Sequence, residues 1–265
     1  MAKITALSAV ILFYLATFNA AARAETAVDL ELIVAVDVSG SMDEEEHILQ
    51  RQGFVAAFRH PEVINTIMSG FIGRLAVTYV EWAGPVSQVV TVPWRIVDGK
   101  DSAGAFADIL ADEPIAFIRG TSISGGIEFA AGLFADNGIE GTRRVIDVSG
   151  DGANNMGEPV EAARDQALAQ GIVINGLPLL LKPRLYFWTG GAGLDDYYRD
   201  CVIGGPGSFV IPVTKKAHLA RAIRRKLLLE IAGPRARLYY ADAPALRAKV
   251  DCFIGEKIRR SRDDE

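Results

Sequence analysis

Apolar runs of strand length alternate with stretches of helical period along almost the whole chain. "LELIVAVDVS" (30–39) reads as a first strand, nearly continuous in apolar residues as a strand buried on both faces is. "EEEHILQRQGFVAAFRH" reads as a helix that stops before Pro61, whose ring disfavours α geometry in the residue ahead of it. "RLAVTYVEW" and "SQVVTVPW" are strands separated by the short turn "AGPV", which predicts an antiparallel hairpin. A small-residue helix near "SAGAFADILAD" follows, then "TSISGGIEFAAGLFAD", in which Ile123, Ile127, Ala131 and Phe134 mark one helical face. "RRVIDVS" is a strand feeding the loop "GDGANNMG", and the next helix carries Pro159 at its start and Gly171 past its end. "IVINGLPLL" is a strand, "LDDYYRDCV" a short helix and "GSFVIPV" a last strand. The helix after it repeats Leu219, Ile223, Leu227 and Ile231, with Thr214 as its expected cap. This order predicts an α/β fold of the doubly wound, Rossmann-like kind. Its six-stranded sheet is mainly parallel with one antiparallel edge strand, and helices cover both faces.

The first residues change the domain picture. Met1 to Ala24 carries Lys3, the apolar run "ITALSAVILFYLATF" and "AARA", which reads as a signal peptide cleaved after Ala24 and predicts a secreted or periplasmic protein. An uncleaved anchor is the alternative, and the run is short for one, since a spanning helix needs about 20 residues. Half of the chain's 265 residues are apolar, with no repeat and no long linker. One domain over 25–232 is therefore expected, with a C-terminal extension over 233–265 beyond the regular alternation.

Charge excludes one class and leaves another open. A net charge of −5 argues against a nucleic-acid binder. Thr214 to Glu265 nevertheless holds 14 Lys and Arg against 7 acids. Its clusters "RAIRRK" (221–226) and "KIRRSR" (257–262) suit a membrane surface or an acidic partner, or are simply solvated helix faces. The two cysteines, Cys201 and Cys252, permit one disulfide in an oxidising compartment, with two buried thiols as the alternative. Two cysteines and three scattered histidines argue against a zinc site built from them.

Three polar loops stand where ligands bind in such sheets, outside the carboxyl ends of the strands: "DVSGS", "RGTS" and "SGDG". They hold Asp37, Ser39, Ser41, Thr121 and Asp151. Five oxygen-bearing side chains without Cys or His suit a hard cation such as Mg2+. Gly40, Gly120 and Gly152 are expected to let the three loops turn sharply.

D-x-S-G-S at 37–41, a Thr well downstream and an Asp-Gly after a later strand together resemble the von Willebrand factor A domain, over roughly Val28 to Ala232. "DVSGSMDEEE", "RGTSISGGI", "VIDVSGDGANN" and "CVIGGPGSFV" are similar, more closely, to a bacterial group of secreted A-like proteins without an assigned function. The resemblance implies a metal-ion-dependent adhesion site. Ser39, Ser41 and Thr121 would be hydroxyl ligands of Mg2+ (or Mn2+), and Asp37 and Asp151 would act directly or through water. An acidic side chain of a protein partner would complete the shell. The chain departs from the family pattern at "SGDG", where many relatives have Thr-Asp-Gly, and at Asp147 inside a strand. Asp147 is expected to support the site from behind or to pair with an arginine.

Asp43 to Glu46 fall in the first turn of a helix, where negative charge meets the helix dipole favourably; holding a second ion is the alternative. Enzyme readings are weaker. Asp37, His60 and Ser122 occur in the chain order of a subtilisin-like triad, but the surroundings of His60 and the spacing do not match it. A metal-dependent hydrolase lacks a candidate base, since His47, His60 and His218 read as surface residues of helices. A structural module with a vestigial metal site is the remaining alternative. No catalytic role is expected.

Overall fold

A computed structural model describes residues 25–182, 193–233 and 249–264. The expected signal peptide, 1–24, and much of the C-terminal extension lie outside these residues.

The frame is a five-stranded sheet. In chain order its strands are β2 (Leu30–Asp37), β3 (Leu75–Trp82), β4 (Gln88–Val97), β6 (Arg144–Gly150) and β7 (Ile172–Pro178), arranged β4-β3-β2-β6-β7. β2 is parallel to both β3 and β6, β6 is parallel to β7, and only β3 and β4 run antiparallel, as the short turn between them requires. Two short strands, β1 (Thr26–Val28) and β5 (Ile139–Gly141), form a separate parallel pair.

The expected sixth strand is present as an interrupted ladder. Phe209 to Val213 runs beside β7: Gly176 N–H donates to the Phe209 carbonyl, Ile211 N–H to Gly176, Val213 N–H to Pro178 and Leu180 N–H to Val213. The missing rung falls at Pro178, which has no N–H to give to Ile211. Only isolated bridges, Gly176 with Val210 and Leu179 with Val213, therefore remain.

β2 is buried along its whole length, and its side chains divide by period two between two cores. Leu32, Val34 and Val36 meet Phe54 and Phe58 of α1 (Glu44–Phe58), Val63 and Ile67 of α2 (Pro61–Met68), Phe106 of α3 (Lys100–Asp112), and Ile223 and Leu227 of α7 (Leu219–Ala232). Ile33 and Ala35 face the other way, toward Ile127 of α4 (Ile123–Gly132), Ala163 of α5 (Val160–Ala169) and Tyr197 of α6 (Leu194–Tyr197). At about 1.5–3 kcal/mol per fully buried large apolar side chain, these two layers supply the main drive for folding.

Three local expectations are corrected. Pro61 does not only end a helix: it opens α2, with the His60 ring accepting the Glu62 N–H at 3.2 Å as the cap. Thr214 does not cap α7, because a 3-10 turn over Lys216–His218 comes between them. The cluster 221–226 is not a wholly solvated face, since Lys226 is fully buried.

Beyond the sheet, α8 (Ile254–Asp263) packs back onto the domain at Ala153 and Asn154. Cys252, just before it, is joined to Cys201 by a disulfide with the Cα atoms 5.5 Å apart. Among the described residues no helix is long and apolar enough to cross a membrane.

Candidate metal centre

The sheet order places the site. From β2 the chain adds β3 on one side and later β6 on the other, so the crevice of this open sheet lies at the carboxyl ends of β2 and β6. Asp37 is the last residue of β2, and Asp151 directly follows β6. Three backbone bonds fix the neighbouring loops: Val38 N–H to Trp82 O (2.9 Å), Ile118 N–H to Val38 O (3.2 Å) and Ser122 N–H to Ala83 O (2.7 Å).

Four of the five expected ligands form one hydrogen-bonded chain. The Ser39 N–H donates to Asp37 Oδ1 at 2.7 Å, the Ser39 and Ser41 hydroxyls lie 2.8 Å apart, and Ser41 Oγ donates to Asp151 Oδ1 at 2.5 Å. Thr121 is not hydrogen-bonded to these four, but it lines the same cleft as Ser41 and Asp151. Its loop is clipped to the Asp151 loop by Asn155, whose N–H donates to the Thr121 carbonyl at 3.0 Å and whose Oδ1 accepts the Thr121 N–H at 3.3 Å. Of the three glycines expected to set the turns, only Gly120 needs to be glycine for its backbone, with φ of +95°.

The electrostatics leave a cation-shaped deficit. Asp37 is fully buried and its Oδ2 has no hydrogen-bond partner. Burial, and then the charge of Asp151, push the Asp37 carboxyl up to about 7. Burial likewise raises Asp151, against the pull of the Ser41 hydroxyl and Lys182. Two desolvated carboxylates, one of them with an unpartnered oxygen, and three hydroxyls fit a hard divalent cation that brings its own water. Among the described residues no cluster of three or more His, Cys, Asp or Glu side chains could hold a metal, so an ion at this place would need the hydroxyls as well as the two carboxylates.

Several residues at the site were not expected from sequence. Lys182, at the end of "LPLLLK", sends its ammonium to Glu46 Oε2 at 2.8 Å and Asp151 Oδ2 at 3.6 Å, and donates to the Ser41 carbonyl. Tyr198 lies beneath: a Cβ added to Gly150 would stand 2.9 Å from its hydroxyl and 2.8 Å from Asp37 Oδ2. Asn154, fully buried, holds the Thr121 side of the cleft by accepting the Ser124 N–H at 3.1 Å. The pair "NN" after "GDGA" was a usable signal for Asn154 and Asn155, because adjacent amides commonly tie loops.

The acid block behind the site has a structural account. Asp43 and Glu46 form a reciprocal cap on α1, with Glu46 N–H to Asp43 Oδ1 at 2.8 Å and Asp43 N–H to Glu46 Oε2 at 2.9 Å. Lys216 approaches Glu45 at 2.6 Å and Asp43 at 3.2 Å, so the block's negative charge is partly offset by a neighbouring ammonium. His47 is buried, edge-on to Phe117 with ring centroids 4.9 Å apart, and is not a surface residue. Asp147 pairs with a lysine instead of an arginine, Lys226 Nζ lying 2.6 Å away.

Solved structures share the fold at low identity. The proximal thread matrix protein 1 of the mussel byssus, in a structure described as having a zinc-occupied MIDAS motif, superposes with TM-score 0.57 at 15% identity, covering 78% of this chain and 49% of that one. The pilus adhesin SpaC of Lactobacillus rhamnosus GG in its open conformation gives 0.55 at 12%, covering 76% and 30%. A von Willebrand factor type A protein of Catenulispora acidiphila gives 0.51 at 16%, covering 77% and 43%. The chain thus spans about half the length of the mussel protein or less of the others. No protein of curated function matches it in sequence. Residues 27–235 match the family described as "Protein of unknown function (DUF1194)". With that match over most of its length and the sheet described above, the chain belongs to this family, and its fold is that of the von Willebrand factor A domain.

Proposed function

We propose that the protein is a secreted or periplasmic, non-enzymatic binding module. In this reading Ser39, Ser41 and Thr121 hold Mg2+ or Mn2+ together with Asp37 and Asp151, acting directly or through water, and the ion's remaining position takes an acidic side chain of another protein. The observation that carries it is the hydrogen-bonded chain from Asp37 to Asp151 with Asp37 Oδ2 left unpartnered beneath it. A carboxylate buried in that way is costly without a positive partner. The zinc-occupied motif of the mussel protein and the adhesive role named for SpaC support the same reading.

Calorimetric titration of Mg2+ and Mn2+ into the full chain tests it. Saturable binding is expected, lost in both Asp37→Ala and Asp151→Ala, with the circular dichroism of the folded protein retained. Undiminished binding by both variants would count against these ligands.

The structural alternative has one observation of its own, the Lys182 ammonium standing against Asp151. Under it the lysine neutralises a site that no longer binds metal, and the folded wild-type protein would take up neither ion.

A further inference from the structure

The family match ends at residue 235, yet α8, beyond it, builds one side of the cleft over the candidate metal centre. The attachment is close. A Cβ on Gly255 would fall 2.0 Å from the Asn154 carbonyl oxygen, so only glycine lets α8 approach this loop. Glu256 Oε1 accepts from Asn154 Nδ2 at 2.7 Å, and the Tyr197 hydroxyl accepts the Asn154 N–H at 3.2 Å. The Cys201–Cys252 bridge and the Val250 N–H, which donates to Asp200 Oδ2 at 2.9 Å, hold the segment ahead of the helix.

The resulting cleft has a volume of about 820 Å3, within the usual range of small-ligand pockets and far more than one carboxylate fills. Ser41, Thr121 and Asp151 form its polar floor. Ile254 and Ile258 of α8 stand with Leu194 as an apolar wall, and exposed Arg119 and Arg259 lie at the rim. Arg262 joins them, and the one acid there, Asp263, stands 3.7 Å from Arg259, so the rim keeps a net positive charge on a protein of net charge −5 and is complementary to an acidic segment.

We infer that α8 is a second recognition wall, and that the partner offers an extended segment in which an acidic residue is flanked by a bulky apolar one. The acid reaches the floor while its neighbour packs on Ile254 and Ile258, and further negative charge on the segment meets the arginines. This inference rests on the metal-dependent reading of the floor.

The test is selection of random peptides displayed on phage against the full, disulfide-intact protein in Mn2+, with elution by EDTA. Enriched peptides are expected to pair Asp or Glu with a large apolar neighbour. Chosen peptides should bind Ile258→Glu about tenfold more weakly, a loss typical of an apolar anchor. They should also bind Arg259→Glu more weakly; that position is exposed and gives up only a solvent-exposed ion pair with Asp263 at 3.7 Å, which keeps the test valid if the first variant loosens α8. EDTA-eluted peptides with an acid but no apolar preference, bound equally by both variants, would overturn the inference and leave the metal reading standing. Absence of EDTA-elutable peptides, or binding that survives Asp37→Ala, would overturn the metal reading and this inference with it.

Discussion

Lys182 sets the charge of the candidate site. Its ammonium lies 3.6 Å from an Asp151 oxygen and is held there by Glu46 and the Ser41 carbonyl. Two unit charges at about 4 Å interact by about 1 kcal/mol even in water, and a dication doubles the repulsion. Lys182→Met is therefore expected to tighten Mn2+ binding about tenfold by titration calorimetry. Weaker binding in the variant would mean that the lysine instead positions Asp151 for the ion. At this scale the placing of Asp37, Ser39 and Ser41 at the mouth of the first strand was legible because polar residues interrupt the apolar strand at its carboxyl end, as in "AVDVSGS". Lys182, Tyr198 and the partner of Asp147 were not, since each arrives from a distant segment through tertiary packing. The burial of His47 was equally hidden, because the Phe117 ring that covers it belongs to a loop without periodicity.

Among the elements, α7 is tied to β6 by a buried ionic cluster. Lys226 Nζ lies 2.6 Å from Asp147 and 2.5 Å from Glu230, and Asn175 donates to Glu230 at 3.1 Å. One ammonium faces two carboxylates, and burial followed by the charge of Asp147 pushes Glu230 up to about 8. An acid whose pKa is raised in the fold binds more protons folded than unfolded between its ordinary value and about 8. Its contribution to stability is thus complete below about pH 4.5 and is lost as pH rises through about 8. Melting temperatures measured across that window are expected to fall less steeply in Glu230→Gln than in the wild type; parallel slopes would contradict the assignment. The alternation of period two and period 3.6 made the element order legible. What it could not carry were effects of single prolines: Pro61 opens a helix where it was read only as a stop, and Pro178 breaks the ladder of the last strand.

For the molecule as a whole, the α/β class followed from that alternation, whereas the meeting of Asp37 and Asp151 followed from strand order, which depends on how β6 docks beside β2. The disulfide joins residues 51 apart in sequence. In the chain-entropy account a loop of that length stabilises the fold by about 4 kcal/mol. Denaturant unfolding with and without reductant should show a loss of that order, reproduced by Cys252→Ala. The same bridge and α8 also impose a timetable on synthesis. The residues of the candidate site, Asp37 through Asp151, leave the ribosome well before Cys252 and the helix behind it. On the proposed reading, an ion would find its oxygens already made while the apolar wall is still to come. On that reading, competence for a partner would be acquired as a late maturation step, completed only when the bridge closes.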